Sequence, residues 1–290
     1  MNRLVVFLVF VLCFVSHASA DFVTIPQTFI PPSSSGSKWG NPIHGTASDV
    51  ITWTFMADGT ILSGGHPLTG EVSGGSNISQ MRLDFDNANG IGAFDQAVNN
   101  AFNTWANATP GRITFQYVNS DTGADAGDSS NPSSYAVDIR IGAFTPVAAT
   151  GFEGLAGVGF GPPGDDTFPF FHDALAGDIL LNINQNFFVA PGNEGDTFYT
   201  TGTYFNDLEG LMLHELGHAA IGLAHATNGP NFSALEDVMY VDALPTFINR
   251  QLSAQDIAGA QSVYGVPEPG CVMILSIGLL GCLLNDRRRE

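Results

Sequence analysis

The residues best suited to chemistry in this chain lie in one stretch, HELGHAAIGLAH, from His214 to His225. His214 and His218 are four apart, so on a helix their rings leave the same face and can share one metal ion. Glu215 is turned about 100° from His214, where its carboxylate flanks such an ion without binding it. Two neutral imidazoles that hold zinc and a carboxylate that takes a proton from water are the working parts of a metal-assisted hydrolase. In a chain of 290 residues with seven histidines, composition alone would give this pattern about 0.005 times, so the match is specific. The competing reading is a helix with two solvent-facing histidines.

His225 poses a problem of reach. An unbroken helix would point it the same way as His214 but set its Cα about 10.5 Å from that of His218. Zinc–nitrogen bonds are about 2.0–2.1 Å, so the two rings could not meet on one ion. The chain must therefore turn after His218, and Gly222 is the residue there able to take φ > 0 without strain. A helix ending near Ile221, a turn at Gly222 and a return at His225 would supply three ligands. The alternative leaves His225 in a loop, with Asp, Glu or water completing the site.

The elements that must position this stretch are legible in part. VITWTF (50–55) alternates like a strand, and Phe94, Ala97, Val98, Ala101, Phe102 and Trp105 form one face of a helix that Pro110 and Gly111 end. RITFQYV (112–118) and AVDIRIGAF (136–144) read as strands on either side of a loop at 121–134. From 145 to 205 only GLAGVGF and DILLNI give strand signals. Asn206 with Glu209 resembles a capping box opening the histidine helix; Ser253 with Asp256 opens a last helix that Gly265 can stop. Residues 21–48, with PPSSSGS, read as a linker or loosely attached arm. Strands preceding helices, with one helix between the first two strands, point to an α/β or α+β domain.

On these residues the chain resembles the metzincins, whose pattern is HExxHxxGxxH, and more narrowly the matrixin-like peptidases. Gly222 lies four residues after His218 where the family has three, so a bulge or a longer last turn must absorb one residue. DVMY places Met239 like the Met-turn beneath the family's metal, while a lone methionine there would otherwise be ordinary core. LSAQDIAGAQSVYG (252–265) is similar to the family's C-terminal helix, and AFNTWANATPGRITFQYV (101–118) to its first helix and following strand. The resemblance covers 49–265 and implies an α+β domain of α/β type, with a twisted, mostly parallel sheet, an active-site helix and a C-terminal helix. It implies zinc on His214, His218 and His225, with Glu215 as general base. An extended peptide or protein substrate would lie along an edge strand, for which 154–160 is the candidate.

Matrixins also carry a structural zinc and calcium ions. AGDILLNIN resembles the relevant segment, but Leu180 stands where a ligand histidine belongs. His172 and Asp173 are candidate additional metal ligands, with a surface loop as the alternative, and Asp178 with the acidic loops is a candidate for Ca2+. The family's latency cysteine has no counterpart between 21 and 265.

Both ends read as targeting segments. Residues 1–20 have Arg3, an apolar run from Leu4 to Val15 and Ala18-Ser19-Ala20, the parts of a secretory signal peptide. At the other end, VPEP from Val266, an apolar run over 271–284 and Arg287, Arg288 and Arg289 resemble the PEP-CTERM sorting signal. That resemblance covers 266–290. It implies processing by an exosortase-like enzyme, transient or anchored membrane contact through 271–284, and a secreted or cell-surface location. Between 21 and 265, Lys38, Arg82, Arg112, Arg140 and Arg250 face 25 acidic residues. That balance argues against nucleic acid or anionic lipid as a partner. The expectation is a secreted zinc endopeptidase; a non-catalytic surface protein of the same fold and a zinc hydrolase of a non-peptide substrate remain as alternatives.

Overall fold

Alternation of side chains about a strand decides how this domain is layered. The computed structural model describes residues 38–62, 70–126, 137–148, 152–163, 175–197, 205–225, 237–240 and 247–266. Strands Val50–Phe55 (β1), Val72–Ser73 (β2), Thr114–Tyr117 (β3), Ile139–Pro146 (β4), Gly157–Gly159 (β5) and Asp178–Asn182 (β6) form one sheet. The order is β3-β1-β4-β6-β5, with β2 pairing antiparallel to the end of β4. β1 runs parallel to β3 and β4, and β4 parallel to β6; β5 is antiparallel to β6 and ends the row. Two short strands, Phe187–Phe188 (β7) and Asn206–Asp207 (β8), pair apart from it. The α-helices among the described residues are Ile78–Asn89 (α1), Ala93–Ala108 (α2), Leu208–Leu216 (α3) and Ala254–Tyr264 (α4). The architecture is α+β with a mostly parallel mixed sheet.

Ile139, Ile141 and Ala143 of β4 and Ile179 and Leu181 of β6 face the helices, in one core with Trp105, Met212 and Leu216. Phe144 and Leu180 face the other way, into a second cluster with Met56, Leu62, Val72 and Phe160. Leu180, at the position where the family places a ligand, is thus a fully buried core residue. Arg140 and Asp178, opposite one another on β4 and β6, share this second face as a bidentate pair at 2.9 and 2.8 Å.

Three local features differ from the sequence reading. α1 gives no clear signal in the sequence: only Ile78, Met81 and Phe85 are buried on it, too narrow a stripe to stand out in ISQMRLDFDNAN. The cap of α3 is Asp207, whose side chain accepts from Gly210 N at 3.0 Å, whereas Asn206 pairs with Phe187 in β8. Residues 38–48, expected within a linker, are fastened to the domain: Gly45 N–H donates to Val263 O and Ser48 N–H to Arg112 O, both at 2.9 Å.

The signal-peptide segment 1–20, the arm from 21 to 37, the apolar run 271–284, His172 and Asp173 lie outside the described residues. Among the described residues no helix is long and apolar enough to cross a membrane.

Candidate metal centre

The helix that carries the histidines is fixed at its start and along one flank. Arg250 holds the Asp207 cap through Nε at 2.8 Å and through Nη2, and Nη2 also donates to Ala190 O at 3.1 Å. On the flank, Trp105 of α2 donates from its buried Nε1 to Leu213 O at 2.8 Å. Leu213, His214, Glu215 and Leu216 are all buried. Beneath the helix lies Met239, close enough that a Cβ on Gly217 would meet its Sδ at 2.0 Å. Glycine is therefore required between the two helical histidines if the methionine is to sit there.

Beyond Leu216 the helix widens. Gly217–Ile221 forms a single π-helical turn: Gly222 N–H reaches back five residues to Gly217 O as well as to His218 O at 3.1 Å, and Leu223 N–H also donates to Gly217 O at 2.9 Å. Gly222 takes φ +81°, ψ 29°, and reverses the chain. A π turn holds one residue more than an α turn, so it absorbs the additional residue in HELGHAAIGLAH. The outcome is that His225 comes back to the helical pair: its Nε2 lies 3.0 Å from Nε2 of both His214 and His218. These three are the group of potential ligands found among the described residues.

Whether the three rings suit a metal can be tested on their other nitrogens. His214 Nδ1 is 2.6 Å from Val238 O, and His218 Nδ1 is 2.6 Å from Leu223 O. A carbonyl only accepts, so both Nδ1 atoms carry the proton and both Nε2 atoms turn a lone pair to the centre. His225 can offer a proton to one of them at most, whereas a cation at the centre satisfies all three. Bonds of about 2.05 Å in tetrahedral geometry separate ligand nitrogens by about 3.3 Å, near the spacing present here. The rings fit zinc. Burial pushes His214 down to about 4 and His218 down to about 3, with the neighbouring imidazoles adding to the effect, so both are neutral near pH 7 as ligands must be.

Glu215 stands outside this nitrogen cluster and packs against β5. A Cβ on Gly157 would lie 3.2 Å from its Oε1, and one on Gly159 would lie 2.5 Å from its backbone oxygen and 3.1 Å from Oε2. Burial pushes its carboxyl up to about 8, and a hydrogen bond from the Gly159 backbone acts the other way. β5 is thus both the last strand of the sheet and the wall behind the carboxylate.

Asp178, a candidate for calcium, is committed elsewhere. It is buried against Arg140, which donates to both its oxygens, and desolvation nevertheless pushes it up to about 6. The acidic loop also holds Asp121, 3.8 Å from Arg140.

Sequence reasoning misses the residues that hold the ligands. Val238 O and Leu223 O orient two of the rings, and backbone carbonyls leave no mark in a sequence. Asp256 reads in the sequence only as a cap: it also accepts from Val238 N at 2.9 Å and Met239 N at 3.3 Å, tying α4 to the segment beneath the three histidines. The capping box of Ser253 and Asp256 and the termination at Gly265, φ +87°, are as expected.

No model of a known protein family matches this chain. It is similar to human matrix metalloproteinase-15, being 30% identical over 182 residues, which cover 60% of this chain and 22% of that protein. The chain thus matches about a fifth of the length of this relative. The similarity supports a matrixin-like relationship, at a distance.

Proposed function

We propose that this chain is a secreted zinc-dependent endopeptidase of metzincin type, with His214, His218 and His225 as ligands and Glu215 as general base. The observation that carries the reading is the convergence of three Nε2 atoms, two of them with their protons held on the far nitrogen by backbone carbonyls. Zinc, when bound, supplies a Lewis acid for the scissile carbonyl and acidifies water towards neutrality. Glu215 takes the attacking water's proton and passes it to the leaving amine. Its buried carboxyl, high without a cation, becomes ionised beside a divalent charge, as a base requires. The outer edge of β5 offers its backbone to an extended peptide, an arrangement that gives affinity through main-chain bonds. Met239 supports the helix under the ligands. In this reading 49–265 is the catalytic unit, 1–20 directs export and 266–290 directs sorting. A protease relative and the cluster of three histidines support the peptidase reading; the assignments of 1–20 and 266–290 rest on their sequence pattern.

The test is zinc content with casein cleavage for the chain, Glu215→Gln and His225→Ala. Glu215→Gln should keep about one zinc and lose cleavage by about 10²–10⁴-fold. His225→Ala should lose zinc affinity. Undiminished cleavage by the Gln variant with zinc bound removes Glu215 from the role. A wild-type chain that binds zinc and cleaves nothing favours the non-catalytic surface protein instead.

A further inference from the structure

We infer that Trp39 and Tyr264, one near each end of the described domain, are positioning residues for the metal ligands, because together they fix the π turn that returns His225. The inference rests on the zinc reading above and adds two residues to it that touch neither the cluster of nitrogens nor Glu215.

The additional residue between His218 and Gly222 has a cost in hydrogen bonds. In a continuing α-helix the Leu223 N–H would meet the Ala219 carbonyl, but here it goes to Gly217 O. Past the reversal at Gly222 the Ala220 carbonyl is likewise beyond the helix. Ala219 and Ala220 are fully buried, and a buried carbonyl without a donor is strongly disfavoured. Trp39 Nε1–H donates to Ala219 O at 2.9 Å, and Tyr264 O–H donates to Ala220 O at 2.8 Å. The two donors are themselves joined, Trp39 N–H to Tyr264 Oη at 3.3 Å, across 225 positions of sequence.

Both are held by cationic neighbours. Lys38 Nζ lies 4.7 Å above the Tyr264 ring and donates to Asn41 O at 2.6 Å. Arg112 joins the segment 38–48 to the end of α4, with Nε on Tyr264 O at 2.9 Å and Nη2 on Gly45 O at 2.8 Å. The turn they fix carries Leu223, whose carbonyl orients His218. A shift of the turn therefore disturbs two of three ligands, His225 by position and His218 by ring orientation.

The experiment uses the full chain with Trp39→Phe, Tyr264→Phe and the double variant, each keeping an aromatic ring and losing a donor. Thr52→Val, which removes the two Thr52 Oγ1 bonds to Asp138 beside the sheet, serves as a stability control. Amide exchange at Gly222 and Leu223 is measured without metal, zinc affinity by chelator competition, and ligand geometry by the absorption spectrum of the cobalt form. Each donor variant should speed exchange at both amides and weaken zinc by about fivefold, with an altered cobalt spectrum, while Thr52→Val keeps wild-type values. Donor variants that match Thr52→Val in thermal midpoint and hold zinc as tightly as wild type overturn the inference. So does faster exchange with unchanged affinity and spectrum, which would make the pair a support of the turn alone. Should Tyr264→Phe fail to fold, Trp39→Phe carries the same comparison. A wild-type chain that binds no zinc overturns the metal reading itself, and is told apart because the variants then cannot differ from it in affinity.

Discussion

Lys38 is 3% exposed, its ammonium group over the ring of Tyr264 with carbonyls of Trp39 and Asn41 as partners. Burial, then the Arg112 charge, push it down from 10.5 to about 8, and Asp49 acts the other way. Between those two values the unfolded chain binds more protons than the folded one, so stability contributed at Lys38 rises with pH across that window. Below about pH 8 both states are charged and the burial penalty is present in full. The stability of wild type relative to Lys38→Met, from urea midpoints at pH 7 to 10.5, should therefore climb with pH. A flat difference would mean an ordinary lysine. At this scale the sequence shows side chains and little else. The spacing of His214, Glu215 and His218 announces a metal, but nothing in the residue types at 223 and 238 says that their carbonyls hold the rings.

β5 is three residues long, and its glycines are explained by what lies behind them. Gly159→Ala sets a methyl group against the Glu215 backbone at 2.5 Å, so the helix or the strand must give. The variant should keep its zinc and lose about a hundredfold in cleavage, the scale expected when a catalytic group moves by about 1 Å. Metal content beside casein turnover checks it, and full activity would show that β5 yields freely. Elements with a strong period were legible: β1 at 50–55 matches its alternation, and α2 its apolar face. α1 is hidden by a mostly polar sequence, and the start of α3 lies one residue beyond the expected cap because Asn206 and Asp207 are both good caps and only the distant Arg250, which holds the Asp207 carboxylate, favours the second. That one residue had to be absorbed after His218 was plain from counting. That a π turn would absorb it was not, since the donors that make the turn tolerable come from positions 39 and 264.

The molecule has no cysteine between 21 and 265, so no disulfide reinforces its two cores. A ligand that binds the native state and not the unfolded one adds stability by mass action, about 2.7 kcal/mol at a hundred times its dissociation constant. For a domain of this size that raises the melting temperature by roughly 5–10 °C. Melting the chain with zinc and again with EDTA measures it; identical midpoints would exclude zinc as a ligand of the native fold.

The meeting of Trp39 with Tyr264 has a mechanical side. Two positions 225 residues apart in sequence meet in one contact, and that contact holds the carbonyls of the histidine turn. Tension applied between positions 38 and 266 would peel this contact open before it loaded the sheet, where strands must be sheared past one another. Pulling at those two positions would thus reach the histidine turn first and the cores last.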